Sequence, residues 1–144
     1  VVGNVVTIVY GNTGPGSVSI YVTFDDLTIG ELNYRFTTVE PVSMTGVTVT
    51  ATEITLPAAN DSTDRQEILI GSTVTINVTD ILPDNATNQN YTVTTSNSRA
   101  TVVGNVVTMV YGDTGPGSVS IYVTFEDSAI GELNYRFTTV EVTE

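Results

Sequence analysis

Hydrophobic and polar residues alternate most cleanly at 17–24: Val18, Ile20, Val22 and Phe24 fall on one side, Ser17, Ser19, Tyr21 and Thr23 on the other. Successive side chains of a strand point to opposite faces, so this stretch predicts a strand with one core-facing and one wet face. Residues 25–30 close a hairpin, and 31–39 return with Leu32, Tyr34 and Phe36 on the buried side. Residues 73–81 alternate in the same way, with Val74, Ile76 and Val78 inward and Thr75, Asn77 and Thr79 outward. Shorter runs at 47–54, 67–70, 91–95 and 100–103 predict further strands. Gly3-Asn4 suits a type II′ turn leading into a strand at 5–10, and Thr13-Gly14-Pro15-Gly16-Ser17 reads as a loop. Polar loops at 57–66 and 82–89 and turns at Gly71-Ser72 and Ser96-Asn97-Ser98 punctuate the rest. No apolar stripe of helical period occurs. Short strands spaced by roughly 8 to 12 residues predict an all-β chain of sandwich type.

The strands at the two ends are the same strands. Residues 102–141 laid over 1–40 at an offset of 101 differ at five positions only: Ile8/Met109, Asn12/Asp113, Asp25/Glu126, Leu27/Ser128 and Thr28/Ala129. A near-identical block at a domain-sized period predicts a tandem repeat of about 101 residues. On this reading 1–40 are the C-terminal strands of a preceding repeat, 41–46 a short linker containing Pro41, and 47–144 one complete repeat.

Composition narrows the chemistry. Val, Ile and Tyr lead the apolar residues and Thr the polar ones, which favours strands. The formal charge is −12, with four arginines, no lysine and no histidine, so nucleic acid and anionic membrane would be repelled. Cysteine is absent, which removes disulfides, thiolate metal sites and cysteine nucleophiles together. Carboxylates are left as the candidates for acid–base or metal chemistry. No apolar run reaches the ~20 residues of a membrane-spanning helix.

Residues 80–123 resemble a bacterial immunoglobulin-like domain of the second group. The resemblance rests on Leu82-Pro83-Asp84-Asn85-Ala86-Thr87-Asn88-Gln89-Asn90, Thr95-Ser96-Asn97-Ser98-Arg99-Ala100-Thr101-Val102 and Gly117-Ser118-Val119-Ser120-Ile121. Thr45-Gly46-Val47-Thr48-Val49 and Gly71-Ser72-Thr73-Val74-Thr75 resemble that family's opening strands. Such domains are typical of intimin- and invasin-type adhesins and of phage tail and capsid appendages. The resemblance implies an immunoglobulin-like β-sandwich. Where the family often places Trp on its third strand this chain has Val93, so Phe125, Phe137, Tyr111 and Tyr135 are expected to supply the aromatic volume of the core.

Four sets of residues are candidates for function. Asp25, Asp26 and Glu31, with Glu126, Asp127 and Glu132 in the second copy, flank one hairpin, and oxygen ligands in loops can hold Ca2+; Asp61, Asp64 and Glu67 lie in a long loop. The alternative is that these are solvated turn residues, since no Asp-x-Asp-x-Asp-Gly loop is present. Asn60, Asn77, Asn85 and Asn90 open sequons for N-glycosylation, a pattern that a Thr- and Asn-rich chain also produces by chance. Tyr21 and Tyr122 fall on the wet face of their strands, where a repeated ring makes a ladder of contact points. Glycoside hydrolysis needs two carboxyls facing each other across a cleft, which a filled sandwich does not offer.

Three strands cannot bury both faces of a sandwich, so residues 1–40 need a complement. The complementary strands lie at 47–103, and both copies of the block compete for them. Pairing backwards would have to span roughly 30 Å, while the linker reaches only about 20 Å, so the complement is expected to pair forwards. The sequence reading is a non-enzymatic repeat of an extracellular, cell-surface or virion-surface stalk, adhesin or filament, with adjacent copies of the same repeat as partners and no membrane insertion. Its alternatives are a glycan- or receptor-binding module of a phage surface, and a homopolymer assembling by strand complementation through residues 1–40.

Overall fold

The structure is a computed structural model that describes residues 15–24, 28 and 30–142. The turn expected at Gly3-Asn4, the strand at 5–10, and Asp25 and Asp26 lie outside the described residues. The chain divides into two compact units, Val1–Pro41 and Val42–Glu144. All regular structure among the described residues is strand: β1 (Ser17–Thr23), β2 (Glu31–Thr37), β3 (Gly46–Ala51), β4 (Gln66–Leu69), β5 (Thr73–Leu82), β6 (Tyr91–Thr95), β7 (Ala100–Val103), β8 (Val106–Met109), β9 (Ser118–Phe125) and β10 (Glu132–Val140).

The second unit is built from two four-stranded sheets, ordered β4-β10-β9-β6 and β3-β5-β8-β7, with one apolar core between them. Val119, Ile121, Val123 and Phe125 of β9 are buried, while Ser118, Ser120, Tyr122 and Thr124 face outward as the alternation requires. Val74 and Ile76 of β5 and Val107 and Met109 of β8 meet them from the other sheet. Neighbouring strands are antiparallel except β10 and β4, which run parallel with Phe137 opposite Gln66 and Val140 opposite Leu69. β7 and β8 are joined by Gly104-Asn105, with φ +63° at the glycine alone, the pattern of a type II′ turn. This is the second copy of the turn expected at Gly3-Asn4.

Two expectations change here. Residues 42–45, read from the sequence as linker, are fastened into the second unit. Val42 exchanges hydrogen bonds with Thr87, its N–H donating to Oγ1 at 2.7 Å and its carbonyl accepting from the Thr87 N–H at 2.8 Å; the Thr45 N–H donates to the Leu82 carbonyl at 2.6 Å. Met44 is 1% exposed, a core side chain at a position with no strand pattern around it. Tyr111 was expected in the core and is 64% exposed. β8 ends at Met109, so the alternation that would have carried Tyr111 inward stops before it. Its hydroxyl oxygen instead lies 3.3 Å from where a Cβ on Gly115 would stand, over the glycine-rich loop. Phe125, Tyr135 and Phe137 are core aromatics as expected, with Tyr91 tilted against Phe125 at 5.9 Å between ring centroids. Val93 is buried at the position where the sequence comparison expected a small substitute for Trp.

In the first unit β1 and β2 form a two-stranded antiparallel sheet with Ile20 opposite Tyr34 and Val22 opposite Leu32. Its pairing repeats that of β9 and β10, where Ile121 stands opposite Tyr135 and Val123 opposite Leu133. The burial does not repeat. Tyr34 and Phe36, expected to be buried, are 49% and 44% exposed, whereas their counterparts Tyr135 and Phe137 are 5% and 0% exposed. Sequence and register are the same. Among the described residues of its own unit, no second sheet packs against the apolar face of the hairpin.

Candidate functional site

The acidic hairpin between β9 and β10 is the first place to look for chemistry, and its three carboxylates turn to separate tasks. Asp127 Oδ2 accepts the Met44 N–H at 2.7 Å and Oδ1 accepts the Ala129 N–H at 2.9 Å, so these two backbone donors lower its pKa, Met44 contributing more. Glu126 Oε2 accepts from the side-chain amides of Asn88 at 2.9 Å and Asn90 at 3.2 Å, which lowers its pKa in turn. Glu132 Oε2 accepts the Thr124 hydroxyl at 3.1 Å across the strand pair. Glu31 opens β2 opposite Thr23. Among the described residues no group of three or more carboxylates is placed to hold a metal ion. Asp61 accepts the Thr63 hydroxyl and N–H on Oδ1, at 2.7 and 2.8 Å, and these bonds lower its pKa. Asp64 receives the Ala58 N–H, and Glu67 lies on β4. Asp61, Asp64, Glu126 and Asp127 thus close turns or fasten one segment to another.

The four sequon asparagines separate by what their side chains already do. Asn60 accepts the Asn134 N–H on Oδ1 at 3.0 Å and donates from Nδ2 to the Glu132 carbonyl at 3.4 Å, docking its loop on the end of β10. Asn90 Nδ2 is committed to Glu126, and Asn77, half-buried on β5, donates to the Thr75 carbonyl at 3.5 Å. Asn85 is exposed in the loop after β5, and its side-chain amide makes no hydrogen bond among the described residues. Tyr21 is exposed on β1, whereas Tyr122 is half-buried on the outer face of β9, with Thr94 and Asn134 opposite.

Shallow cavities lined by described residues open on the second unit, and the composition of three of them bears on function. One, of about 360 Å³, is lined by residues including Tyr91, Val93 and Asn105. Another, of about 320 Å³, follows Val49 to Leu56. The third, about 150 Å³, is polar: Arg65 and Arg136 border it together with Ser96, Asn97, Ser118 and Ser120. None of the three is lined by a carboxylate. The arginines were not singled out from the sequence. They lie 71 positions apart and meet because β4 and β10 run parallel with Phe137 beside Gln66, a register that no local pattern announces.

A third arginine has a local role. Arg99, in the turn before β7, donates from Nε to the Gly115 carbonyl at 2.8 Å and from a terminal nitrogen to the Thr114 hydroxyl. The loop at 112–117 wraps this guanidinium so closely that a Cβ on Gly112 would stand 2.6 Å from Arg99 Cγ. Comparison with known proteins adds no assignment to this geometry: no family model matches the chain, and no curated protein matches it.

Proposed function

We propose that the chain is a stretch of a tandem array of immunoglobulin-like β-sandwiches serving as a non-enzymatic structural part of an extracellular stalk, adhesin or filament. One observation carries the reading: within a forty-residue block that occurs twice with five differences, the same two strands form the wall of a closed core as β9 and β10 and show an open apolar face as β1 and β2. A two-stranded hairpin is marginal in water by itself, so a face of Val22, Phe24, Leu32, Tyr34 and Phe36 is a face built to be covered. The cover is a further copy of the segment that covers its twin. Strand exchange between copies of this chain does not solve the problem. Each chain holds two blocks and one complement, so exchange leaves one hairpin open per chain, whatever the size of the assembly. This favours completion along one polypeptide over a homopolymer of strand-exchanged subunits. The acidic surface and the absence of cysteine suit an exposed, repetitive element that must not adhere to its neighbours.

The test is to place a copy of residues 42–101 directly before Val1, which restores the period of the repeat. The extended chain is expected to unfold as two sandwiches of similar stability, with amides of β1 and β2 protected from hydrogen exchange as strongly as those of β9 and β10. If β1 and β2 exchange as fast in the extended chain as in the original, the reading fails.

A further inference from the structure

We propose that the outer face of the β4-β10-β9-β6 sheet carries a pocket for the carboxylate of a small acidic sugar, with Arg65 and Arg136 as its cationic walls. The pocket is a polar row across β10 and β9, flanked by the residue just before β4 and the residues just after β6. Arg136 stands opposite Ser120 on β9; the Ser120 N–H donates to Ser96 Oγ at 2.9 Å; and Arg65, immediately before β4, donates to Ser118 Oγ at 2.7 Å. Asn97 closes the end of the row by donating from Nδ2 to the Ser118 carbonyl at 3.0 Å.

The hydrogen bonds already made leave donors over. Ser96 Oγ and Ser118 Oγ both act as acceptors, so their own hydroxyl hydrogens remain to be given. The acceptor oxygen of Asn97 is taken by the Arg99 N–H at 3.0 Å. Arg136 Nε is shielded from solvent and has no hydrogen-bond partner. A buried guanidinium donor without an acceptor is costly, and Asp61, a carboxylate that the charge of Arg136 helps to stabilise, has its Oδ1 turned to Thr63 and Asp64. In a chain of net charge −12 with four arginines, two of them border one cavity that no carboxylate lines. A donor-rich, cationic pocket selects an anion with several acceptor oxygens. Guanidinium N–H groups match the spacing of carboxylate oxygens, while Ser120 and the other hydroxyls suit a ligand that also carries hydroxyls. A cavity of about 150 Å³ takes one charged group or one ring and nothing larger.

The first unit contains a built-in control. Arg35 stands opposite Ser19 as Arg136 stands opposite Ser120, but among the described residues β1 and β2 form a two-stranded sheet without counterparts of Arg65, Ser96 and Asn97 beside them. The inference holds whether or not the chain is part of an array.

The experiment is a titration of the 15N-labelled 144-residue chain with sodium glucuronate at constant ionic strength, following backbone amides and arginine Nε–H signals by NMR. Saturable shifts at Arg136, Arg65 and Ser120 are expected, with a midpoint on the order of 1 mM, no response at Arg35, and none to glucose. Arg136→Gln and Arg65→Gln should each weaken binding about tenfold or more without lowering the melting temperature, since neither side chain belongs to the apolar core and R136Q removes an unpartnered donor. Shifts that grow without saturating, an equal response at Arg35, or full binding by R136Q overturn the proposal. So does an unmoved Arg136 Nε–H signal, which would give that donor a water shared with Asn134 Oδ1, the other unpartnered atom on this face. Saturation by sulfate or by a tetraglutamate peptide without any response to glucuronate overturns the assignment to an acidic sugar.

Discussion

Phe36 and Phe137 offer a test in which sequence context is held constant and burial alone varies. Both sit in the run Asn-Tyr-Arg-Phe-Thr-Thr-Val. Phe137 is fully buried against the core of the second unit, and Phe36 is 44% exposed. Truncating a buried Phe to Ala removes its transfer free energy and leaves a cavity, about 3–5 kcal/mol together. A domain of a hundred residues is stable by about 5–15 kcal/mol, so Phe137→Ala removes a large part of that margin. With a urea m-value of about 1–3 kcal/mol/M, the midpoint of unfolding falls by roughly 2 M. Phe36→Ala touches a side chain outside the cooperative core and should leave the unfolding free energy of the second unit within about 0.5 kcal/mol of the parent. Urea titrations followed by far-ultraviolet circular dichroism read both variants. Phe137→Leu, expected to cost about 1.5 kcal/mol or less, keeps the comparison usable if F137A does not fold. Equal losses at the two positions would refute the reasoning, because the hairpin would then be as well covered in solution as its twin.

Met44→Ala should destabilise the second unit by about 2–4 kcal/mol, the cost of emptying a core site, whereas a true linker residue would cost nothing measurable; thermal unfolding decides. Gly112→Ala forces a Cβ to within 2.6 Å of Arg99 Cγ on a side chain tied down at its far end, and a loss of about 1–3 kcal/mol is expected by denaturant titration. Asp61, Glu126 and Asp127 all have folded pKa values below their ordinary values of 3.8 for Asp and 4.5 for Glu. Their contribution is therefore complete above those ordinary values and is lost as pH falls through the lower folded ones. Stability should hold from neutrality down to about pH 4.5 and decline below it, and Asp127→Asn should flatten that decline in a pH series of melting temperatures.

What the sequence disclosed follows from the range of each signal. Strand β9 was legible because eight residues alternate without interruption, and one face of a sheet selects for that. The turn at Gly104-Asn105 was legible because its backbone needs a positive φ. Met44 was not, because a single apolar residue between Ser43 and Thr45 has no period to announce its burial; the carboxylate of Asp127, 83 positions away, holds it in place. Tyr111 misled because alternation gives phase but not where a strand stops. The open face of β1 and β2 could not be read at all from its own residues, since the same residues are closed in the second copy. Only a complement decides between those states. The pairing of Arg65 with Arg136 was hidden for a related reason: it is a property of the parallel register of β4 and β10.

That register also decides how the second unit would answer a mechanical load. β10 is an inner strand, hydrogen-bonded to β9 on one side from Glu132 to Thr138 and to β4 on the other from Phe137 to Val140. Ladder hydrogen bonds lie across the strands. A pull along the chain beyond Val140 therefore loads two ladders in shear, where many bonds must give way together. At the opposite end, β3 is an edge strand bonded to β5 alone, and its ladder is interrupted between Gly46 and Thr48. Ahead of it lies the strap of Val42, Met44 and Thr45, held bond by bond to Thr87, Asp127 and Leu82. Tension reaches those bonds one after another, as in peeling tape. The strap is the fuse of the unit: it would part first, lengthen the chain by a few residues, and spare the β10 ladders that would take far greater force to break.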